Sequence, residues 1–227
     1  MSIFRSADVD CPSCKSIVRF ELVHSVNADR RPDLRSAILD RSFQRQACPA
    51  CGFVFRMEPE FSYVDVGRGQ YFAVWPASRL AEWPELEKKS QEAFDRSFGR
   101  SAPKEARALG AKMAARAVFG WAGLGEKLLA AQAGIDDHTL ELAKLGVIRH
   151  LDRAPVASTV EFRLVDAQAD KLMLGWIRTA TEELLDVVGL PRAAIAEIES
   201  SAPDWASLRE DVGGGLFVDY RRSLAVA

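Results

Sequence analysis

The sequence predicts an α+β protein, in which residues 1–76 form a small antiparallel sheet with a four-cysteine ribbon and residues 77–227 form a mainly helical region with a β-hairpin near 160–178. Three observations support this prediction. Two Cys-Pro-x-Cys motifs, CPSC and CPAC, occur in the first third of the chain. Short segments around them alternate apolar and polar residues with the period of two that is typical of strands. Beyond Pro76 apolar residues recur mostly at helical spacing.

Composition is that of an ordinary globular protein and limits the classes of partner. Of the 227 residues, 48% are apolar and 27% are charged, and the net charge is −2. This charge creates no long-range field that would attract the molecule to nucleic acid or anionic lipid. No run approaches the roughly 18 apolar residues that span a bilayer, and the start, with Asp8 and Asp10, lacks the apolar core of a secretory signal. We therefore expect a cytoplasmic protein with no membrane partner.

The cysteines form two C-x2-C pairs whose spacing is typical of metal ligands. The pairs are separated by 33 residues and consist of Cys11, Cys14, Cys48 and Cys51. Four thiolates at this spacing fit around one tetrahedral ion. Gly52 suits the positive φ with which such a turn often closes, whereas the first motif has Lys15 at that place. We therefore predict one metal site, with a turn at Lys15 that is strained or differently shaped.

Three kinds of site use this set of side chains. A structural zinc ribbon is favoured, because it uses all four cysteines and leaves no coordination position open. A rubredoxin-like iron site has the same ligands, and ligand softness does not exclude it. Paired thiol–disulfide redox motifs are the third interpretation, although one C-x-x-C would be enough for that chemistry. A zinc deaminase is excluded, since the chain has no H-x-E motif before a P-C-x-x-C.

The segments next to the cysteines predict strands and one helix. Residues 17–26 alternate as a strand, and Pro32 suits the first turn of a short helix. Strands are expected to lead into the second motif at 42–47 and out of it at 53–58. Gly-Arg-Gly at 67–69 then separates FSYVDV from QYFAVW, which predicts a β-hairpin.

Four segments of this region, in their order and spacing, resemble the CpXC domain family of bacteria and archaea. They are CPSC, SVNADRRPDLRSAILDRSF, CPACGFVF and YFAVWP. The resemblance covers residues 11–76 and is looser beyond them, and Lys15 departs from it at a place where glycine is common. The family has no established activity. The resemblance therefore implies a metal site at the four cysteines and supplies no substrate.

Helices are predicted for the next part of the chain. A charged helix follows Pro84, and a second is expected over KEARALGAKMAARAVF, residues 104–119, with Leu109, Met113 and Ala117 on one face. The next two segments, GWAGLGEKLLAAQAG and DDHTLELAKLGVIRHL, predict a helical hairpin. Gly134 is expected to end its first helix and Asp136 to cap the second. The charge-rich stretch after Pro76 is the predicted domain boundary.

A β-hairpin and two more helices complete the predicted elements. VEFRLVD and KLMLGWIR, residues 160–166 and 171–178, alternate as the two strands. Thr179 and Glu182 form a capping box for a helix over TEELLDVVG. Pro191 then begins the helix RAAIAEIES.

One face of the predicted β-hairpin is apolar and needs cover. Its residues are Val160, Phe162, Leu164, Leu172, Leu174 and Trp176. A two-stranded hairpin is not stable alone. We therefore expect this face to pack on the preceding helices, with Trp176 buried and with Trp121, Leu128 and Leu145 as candidate contacts.

Two features would suit nucleic-acid binding. TEELLDVVGLPRAAIAEIES is arranged like a helix-turn-helix, but Glu197 and Glu199 on its second helix would face phosphate, so ordinary helix packing is favoured. Basic residues also share one face of the helix expected over 104–119, namely Lys104, Arg107, Lys112 and Arg116. A solvated face is the favoured interpretation of these residues.

Catalytic motifs are absent from the sequence. It contains no G-x-S-x-G, Walker loop, dinucleotide fingerprint or H-E-x-x-H. His24, His138 and His150 are far apart and are interpreted as ordinary polar residues. Asp136 and Asp137 are interpreted as a helix cap rather than an acid–base pair. An enzyme whose groups assemble from distant positions stays a third hypothesis.

The sequence therefore predicts a non-enzymatic zinc-binding protein, with Cys11, Cys14, Cys48 and Cys51 as ligands, that acts as a protein–protein interaction or assembly module. The alternative is a nucleic-acid-binding zinc-ribbon regulator. A protein partner is expected, nucleic acid is disfavoured as a partner, and a homo-oligomer is left open.

Overall fold

The computed structural model of the protein describes residues 1–151, 157 and 159–224. The chain divides into two compact units, Met1–Trp121 and Ala122–Ala227. The sequence had suggested a division after residue 76 instead. The first unit extends to Trp121 because a strand at Ala114–Phe119 pairs with the strand at Gln70–Trp75 and completes its sheet.

The first unit mixes strands and helices, which agrees with the predicted α+β class. Its strands are β1 Ile3–Asp10, β2 Ile17–Asn27, β3 Arg45–Ala47, β4 Val54–Arg56, β5 Phe61–Asp65, β6 Gln70–Trp75 and β7 Ala114–Phe119. Its helices are α1 Pro32–Leu39, α2 Trp83–Ser97 and α3 Lys104–Gly110, with a 3-10 helix at Ala77–Glu82. The strand, helix and hairpin predictions between residues 17 and 75 are confirmed, whereas β1 was not predicted.

The main sheet of this unit is mixed rather than antiparallel. Its five strands lie in the order β1-β2-β5-β6-β7, and β3 and β4 form a separate two-stranded hairpin. β2 runs parallel to β5, and β6 runs parallel to β7. The prediction of an antiparallel sheet was wrong here, because the helical segments between these strands act as crossovers that return the chain in the same direction.

The predicted helix over residues 104–119 is wrong in its second half. α3 ends at Gly110, where the Phe98 carbonyl lies so close that a side chain would collide with it. The chain then forms β7, which pairs with β6 from Ala114 to Phe119. Pairing in a sheet outweighs the helix propensity of the alanines, so the predicted helical face of Leu109, Met113 and Ala117 does not form.

The second unit packs a three-stranded sheet with helices. Its strands are β8 Val160–Ala167, β9 Lys171–Arg178 and β10 Glu183–Pro191. Its helices are α4 Gly120–Gln132, of which the residues from Ala122 onward belong to this unit, α5 Asp137–His150, α6 Arg192–Ser200, α7 Ala206–Gly213 and α8 Arg221–Leu224, with a 3-10 helix at Ala202–Trp205. The helical hairpin is confirmed: Gly134 follows α4 with φ +68°, and the Asp136 carboxylate accepts the Thr139 N–H at the start of α5. Among all the helices described, none has the length and hydropathy to cross a bilayer.

The segment TEELLDVVG is a strand, and its predicted helix was wrong. β10 pairs antiparallel with β9, so neither the capping box of Thr179 and Glu182 nor a helix-turn-helix exists. The Leu184 side chain lies over Gly175 of β9, which leaves no room there for a larger residue. β-branched Val187 and Val188 favour the extended backbone. The helix predicted after Pro191 is confirmed as α6.

The predicted packing of the β8–β9 hairpin is confirmed for most of its residues. Trp176 is buried, and its ring stacks on Phe162 with 4.3 Å between centroids. Leu145 of α5 belongs to the same apolar core, and Leu128 of α4 is buried. Trp121 was wrongly assigned to this core. It packs in the first unit, 5.7 Å from the ring of Phe43.

Charged side chains form a buried cluster inside the second unit. Its most buried members are Glu126, Lys127, Glu141, Lys144, Glu161, Arg163 and Asp219. The Lys144 ammonium lies 2.8 Å from Glu126 and 2.7 Å from Glu141. Arg163 lies 2.8 Å from Glu126, from Glu161 and from Asp219. Burial acts to raise the pKa of Glu126, but Lys144 and Arg163 outweigh it and lower this pKa to about 2.

The same cluster provides hydrogen-bond partners for the backbone of β8. The Phe162 N–H donates to the Tyr220 hydroxyl at 2.9 Å, and the Leu164 N–H donates to the Glu126 carboxylate at 2.7 Å. The Phe162 carbonyl accepts from Lys144 at 3.3 Å. Side chains therefore satisfy backbone groups that an edge strand would otherwise leave unpaired.

Replacement of Lys144 by Met tests the importance of the cluster. The substitution leaves Glu126 and Glu141 buried without their shared cation, so we expect the free energy of unfolding of the second unit to fall by about 3–5 kcal/mol. Denaturant unfolding measures this loss, with exposed Lys88→Met on α2 as the control that changes stability by less than about 0.5 kcal/mol. Equal effects of the two substitutions would contradict a stabilising role for the ion pairs.

Candidate metal centre

Each cysteine pair lies at the tip of a β-hairpin. β1 and β2 are antiparallel from Asp10 opposite Ile17, and the turn between them contains Cys11 and Cys14. β3 and β4 are antiparallel from Ala47 opposite Val54, and their turn contains Cys48 and Cys51. The alternating pattern of the flanking residues thus brings both C-x2-C motifs to strand ends.

The first cysteine turn closes with a residue in the left-handed region. The Cys11 carbonyl accepts the Lys15 N–H at 3.0 Å, and the Cys11 N–H donates to the Ser16 carbonyl at 2.9 Å. Lys15 has φ +62°, which costs free energy for a residue with a side chain. The turn at Lys15 is therefore strained, in agreement with one of the two expectations from the sequence.

The second cysteine turn has the same hydrogen bonds at equivalent positions. The Cys48 carbonyl accepts the Gly52 N–H at 2.8 Å, and the Cys48 N–H donates to the Phe53 carbonyl at 2.9 Å. Gly52 has φ +73°, the conformation expected for this glycine. The two turns thus share one geometry, and the alternative that the Lys15 turn is differently shaped is wrong.

The four sulfur atoms come together between the hairpins. The Sγ atoms of Cys11 and Cys51 are 3.7 Å apart, as are those of Cys14 and Cys48. All four Sγ atoms lie within 4.8 Å of one another. Four sulfurs at a metal–sulfur distance of about 2.3 Å around a tetrahedral ion are separated by about 3.8 Å. The cluster therefore has the size and ligand set of a four-thiolate metal site.

Burial differs between the two cysteines of each motif. Cys11 and Cys48, the first of each pair, are buried, whereas Cys14 and Cys51 are exposed. A small apolar core lies beneath the buried pair and includes Val18, Phe20 and Phe55. The rings of Phe20 on β2 and Phe55 on β4 are 5.9 Å apart, so the two hairpins also meet through side-chain packing.

The pKa values of the two exposed cysteines, Cys14 and Cys51, shift in opposite directions. Hydrogen bonds from the Ser16 hydroxyl and N–H lower the pKa of Cys14 to about 6. The Phe53 N–H acts to lower the pKa of Cys51, but Cys14 and burial outweigh it and raise this pKa to about 11. Ionisation of one thiol thus opposes ionisation of the next. A bound metal cation removes this conflict, because it attracts every thiolate.

A second group of potential ligands lies at the start of α5. Oxygen or nitrogen atoms of Asp136, Asp137 and His138 lie within 4.8 Å of one another. Hydrogen bonds to Asp136 and Asp137 raise the pKa of His138 to about 9, so its ring is positively charged at neutral pH. Arg209 lies 2.9 Å from Asp136, and the His138 ring bonds to the Gly213 carbonyl at 3.0 Å. These groups join α5 to α7, and the predicted helix-cap role of Asp136 is confirmed.

The other candidate residues do not assemble into a site. His24 and His150 are exposed, and the His150 ring bonds to the Gly146 carbonyl one turn earlier in α5. The predicted basic face is divided between two elements, because Lys104 and Arg107 belong to α3 whereas Arg116 is half-buried on β7.

The buried charges of the second unit were missed in the sequence. Glu126 and Lys127 are the only charged residues of helix α4 and lie in its middle, which was the available signal. Glu161 and Arg163 alternate with apolar residues in β8 and have the pattern of a solvated strand face. Both are buried instead.

Two opposite substitutions test the left-handed turn residues. Lys15→Gly removes about 1–2 kcal/mol of backbone strain from the folded state. It also gives the unfolded chain more conformational entropy, which offsets about 0.5–1 kcal/mol of this gain. We expect the first unit to gain about 0.5–1 kcal/mol in denaturant unfolding, and Gly52→Ala to lose about 1–2 kcal/mol. Lys15→Ala is the matched control, since it removes the charge and keeps the strain. A gain in Lys15→Ala as large as that in Lys15→Gly would contradict the backbone explanation.

Comparison with known proteins agrees with the geometry of the cysteines. The profile of one family, described as CpXC protein, matches residues 9–144, which is more than half of the chain and includes all four cysteines. Searches of curated proteins and of solved structures gave no match. The chain therefore belongs to the CpXC protein family.

Proposed function

We propose that Cys11, Cys14, Cys48 and Cys51 bind one zinc ion in a closed structural site, and that the protein acts as an interaction or assembly module in the cytoplasm. The proposed zinc site is supported by one observation: four sulfur atoms from two equivalent turns lie within 4.8 Å of one another. A four-thiolate set leaves no coordination position for substrate, which is typical of structural zinc. The reducing cytosol keeps such thiols available for metal.

The metal would fix the β3–β4 hairpin against the β1–β2 hairpin. β3 and β4 are not part of the five-stranded sheet. Metal binding and folding are coupled in small sites of this kind, because the unfolded chain has no preformed ligand cluster. Four thiolates bind iron as well as zinc, so analysis of the purified metal decides between the two ions.

The metal proposal is tested by elemental analysis and by one cysteine substitution. We expect about one zinc per chain, bound at Zn–S distances of about 2.3 Å as measured by X-ray absorption. Cys48→Ser should lose the metal and the hydrogen-exchange protection of residues 1–76, because it removes a ligand buried between the hairpins. Ser13→Ala is the control that keeps both, because Ser13 is an exposed residue of the turn that contains Cys11 and Cys14.

Two outcomes would contradict this part of the proposal. Iron in place of zinc would identify a different metal centre. Unchanged hydrogen-exchange protection in Cys48→Ser would show that the site does not stabilise the fold.

The role in protein contacts is supported by apolar side chains that remain exposed around the cysteine turns. Ile17 is 70% exposed, Phe53 is 46% exposed and Val54 is 51% exposed. Ile17 follows the first cysteine turn directly, and Phe53 and Val54 follow the second. We call these three residues the apolar tip. Their exposure beside both cysteine turns makes these apolar side chains available for contact with another protein.

Nucleic-acid binding is the alternative function and has less support. The net charge is −2, whereas affinity for phosphate requires a clear excess of basic groups. The segment that resembled a helix-turn-helix contains strand β10 in place of its first helix. Lys104 and Arg107 remain exposed on α3 and are the basic residues available to such a ligand.

Affinity capture with matched variants tests the proposed role. Tagged wild-type protein should retain a protein partner that Phe53→Ser loses, because the substitution removes apolar contact area at the tip. Leu109→Ser is the control, since Leu109 is an exposed apolar residue on α3 away from the cysteine turns. Mass spectrometry identifies the partner, and all variants should keep the same metal content. Tight binding of DNA or RNA in about 150 mM salt that Arg107→Glu abolishes would instead support the alternative function.

A further inference from the structure

We propose that the cysteine cluster is an oxidant-sensitive switch, in which hydrogen peroxide converts the four metal-binding thiolates into two disulfides that join the hairpins and releases the metal. This inference rests on the proposed metal site and adds a regulatory property to it. It is carried by two features of the sulfur atoms: their unequal exposure and the distances between them.

Exposure determines which thiolates peroxide reaches first. Cys14 and Cys51 are exposed, whereas Cys11 and Cys48 are buried beneath the turns. Oxidation of thiolates depends on access as well as on thiolate character. Each hairpin therefore presents one accessible thiolate and keeps one protected thiolate.

Two short distances between sulfur atoms provide each exposed thiolate with a resolving partner. Cys48 lies 3.7 Å from Cys14, and Cys11 lies 3.7 Å from Cys51. Each of these pairs joins one exposed and one buried sulfur, and each connects the β1–β2 hairpin to the β3–β4 hairpin. An exposed, oxidised sulfur thus has a resolving partner on the opposite hairpin.

The chemistry takes place in two steps at each pair. The Cys14 thiolate attacks peroxide, so that an S–O bond forms, the O–O bond breaks and hydroxide leaves; the sulfur loses two electrons to the peroxide. The Cys48 thiolate then attacks the oxidised sulfur, so that an S–S bond forms, the S–O bond breaks and a second hydroxide leaves. Two protons from solvent convert the hydroxides to water. Cys51 and Cys11 react in the same way with a second peroxide.

Loss of thiolate charge is the reason for metal release. Zinc binds the deprotonated sulfur of cysteine, and a disulfide sulfur carries no charge. Covalent links between the hairpins would replace the metal as the connection between them. Reduction by a dithiol followed by added zinc should restore the original state.

The experiment treats purified, zinc-loaded full-length protein with hydrogen peroxide and follows three quantities. A chromogenic chelator measures released zinc, peptide mass spectrometry under non-reducing conditions identifies the disulfides, and hydrogen exchange reports the fold of residues 1–121. We expect loss of about one zinc per chain, disulfides Cys14–Cys48 and Cys11–Cys51, retained protection, and recovery after dithiothreitol and zinc. Met57→Leu is the control for methionine oxidation, because Met57 packs against the same small core; its zinc release should match the wild type.

Each contrary result has a distinct meaning. Metal-free protein before peroxide would contradict the proposed metal site itself. Zinc that stays bound under peroxide would overturn the switch and leave the metal site intact. Disulfides within the motifs, Cys11–Cys14 and Cys48–Cys51, would overturn the assignment of resolving partners, and slower release in Met57→Leu would attribute the release to methionine.

Discussion

The meeting of four cysteine sulfurs from two separate hairpins is the constraint on which this part of the first unit depends. The Sγ atoms lie within 4.8 Å of one another, and ionisation of Cys14 opposes that of Cys51. The β3–β4 hairpin is outside the main sheet, so its position depends on this cluster, on the small apolar core and on a few hydrogen bonds. Two of these hydrogen bonds involve Gln44, whose side-chain amide donates to the Glu21 carbonyl and accepts the Val23 N–H of β2. Where the β3–β4 hairpin meets β2, the Gln44 side chain thus makes the backbone hydrogen bonds that a neighbouring strand would otherwise make.

The part of the fold that the sequence predicted well is the part set by local chemistry. Pro32 at the start of α1 and the glycines of the β5–β6 turn each constrain a few neighbouring residues, and the helix and the hairpin predicted from them were confirmed. The clustering of the four sulfurs followed from the spacing of the motifs. β7 was different, because its alanines favour a helix locally and only the partner strand β6 makes it extended.

In the second unit, too, the predictions failed where the structure depends on contacts between residues far apart in the sequence. The acidic start of TEELLDVVG imitates a helix cap, yet pairing with β9 makes this segment a strand. Glu126 and Arg163 form an ion pair although they are 37 positions apart in the sequence. No sequence pattern connects the two residues. In a strand with the alternating pattern of β8, a charged residue such as Arg163 usually faces solvent. Burial of the Arg163 charge requires acidic partners, and no motif in the sequence predicts that Glu126 and Asp219 provide them.

The contacts of Tyr220 have a consequence for synthesis of the chain. Its hydroxyl accepts the Phe162 N–H, its own N–H donates to Glu141, and the preceding Asp219 pairs with Arg163. Chains emerge from the ribosome in order, at roughly 5–20 residues per second. Until Tyr220 and Asp219 have emerged, β8 lacks one of its backbone partners and Arg163 lacks one of its anions. The second unit therefore reaches its final structure after synthesis of this segment, whereas the cysteine hairpins have all four of their cysteines much earlier.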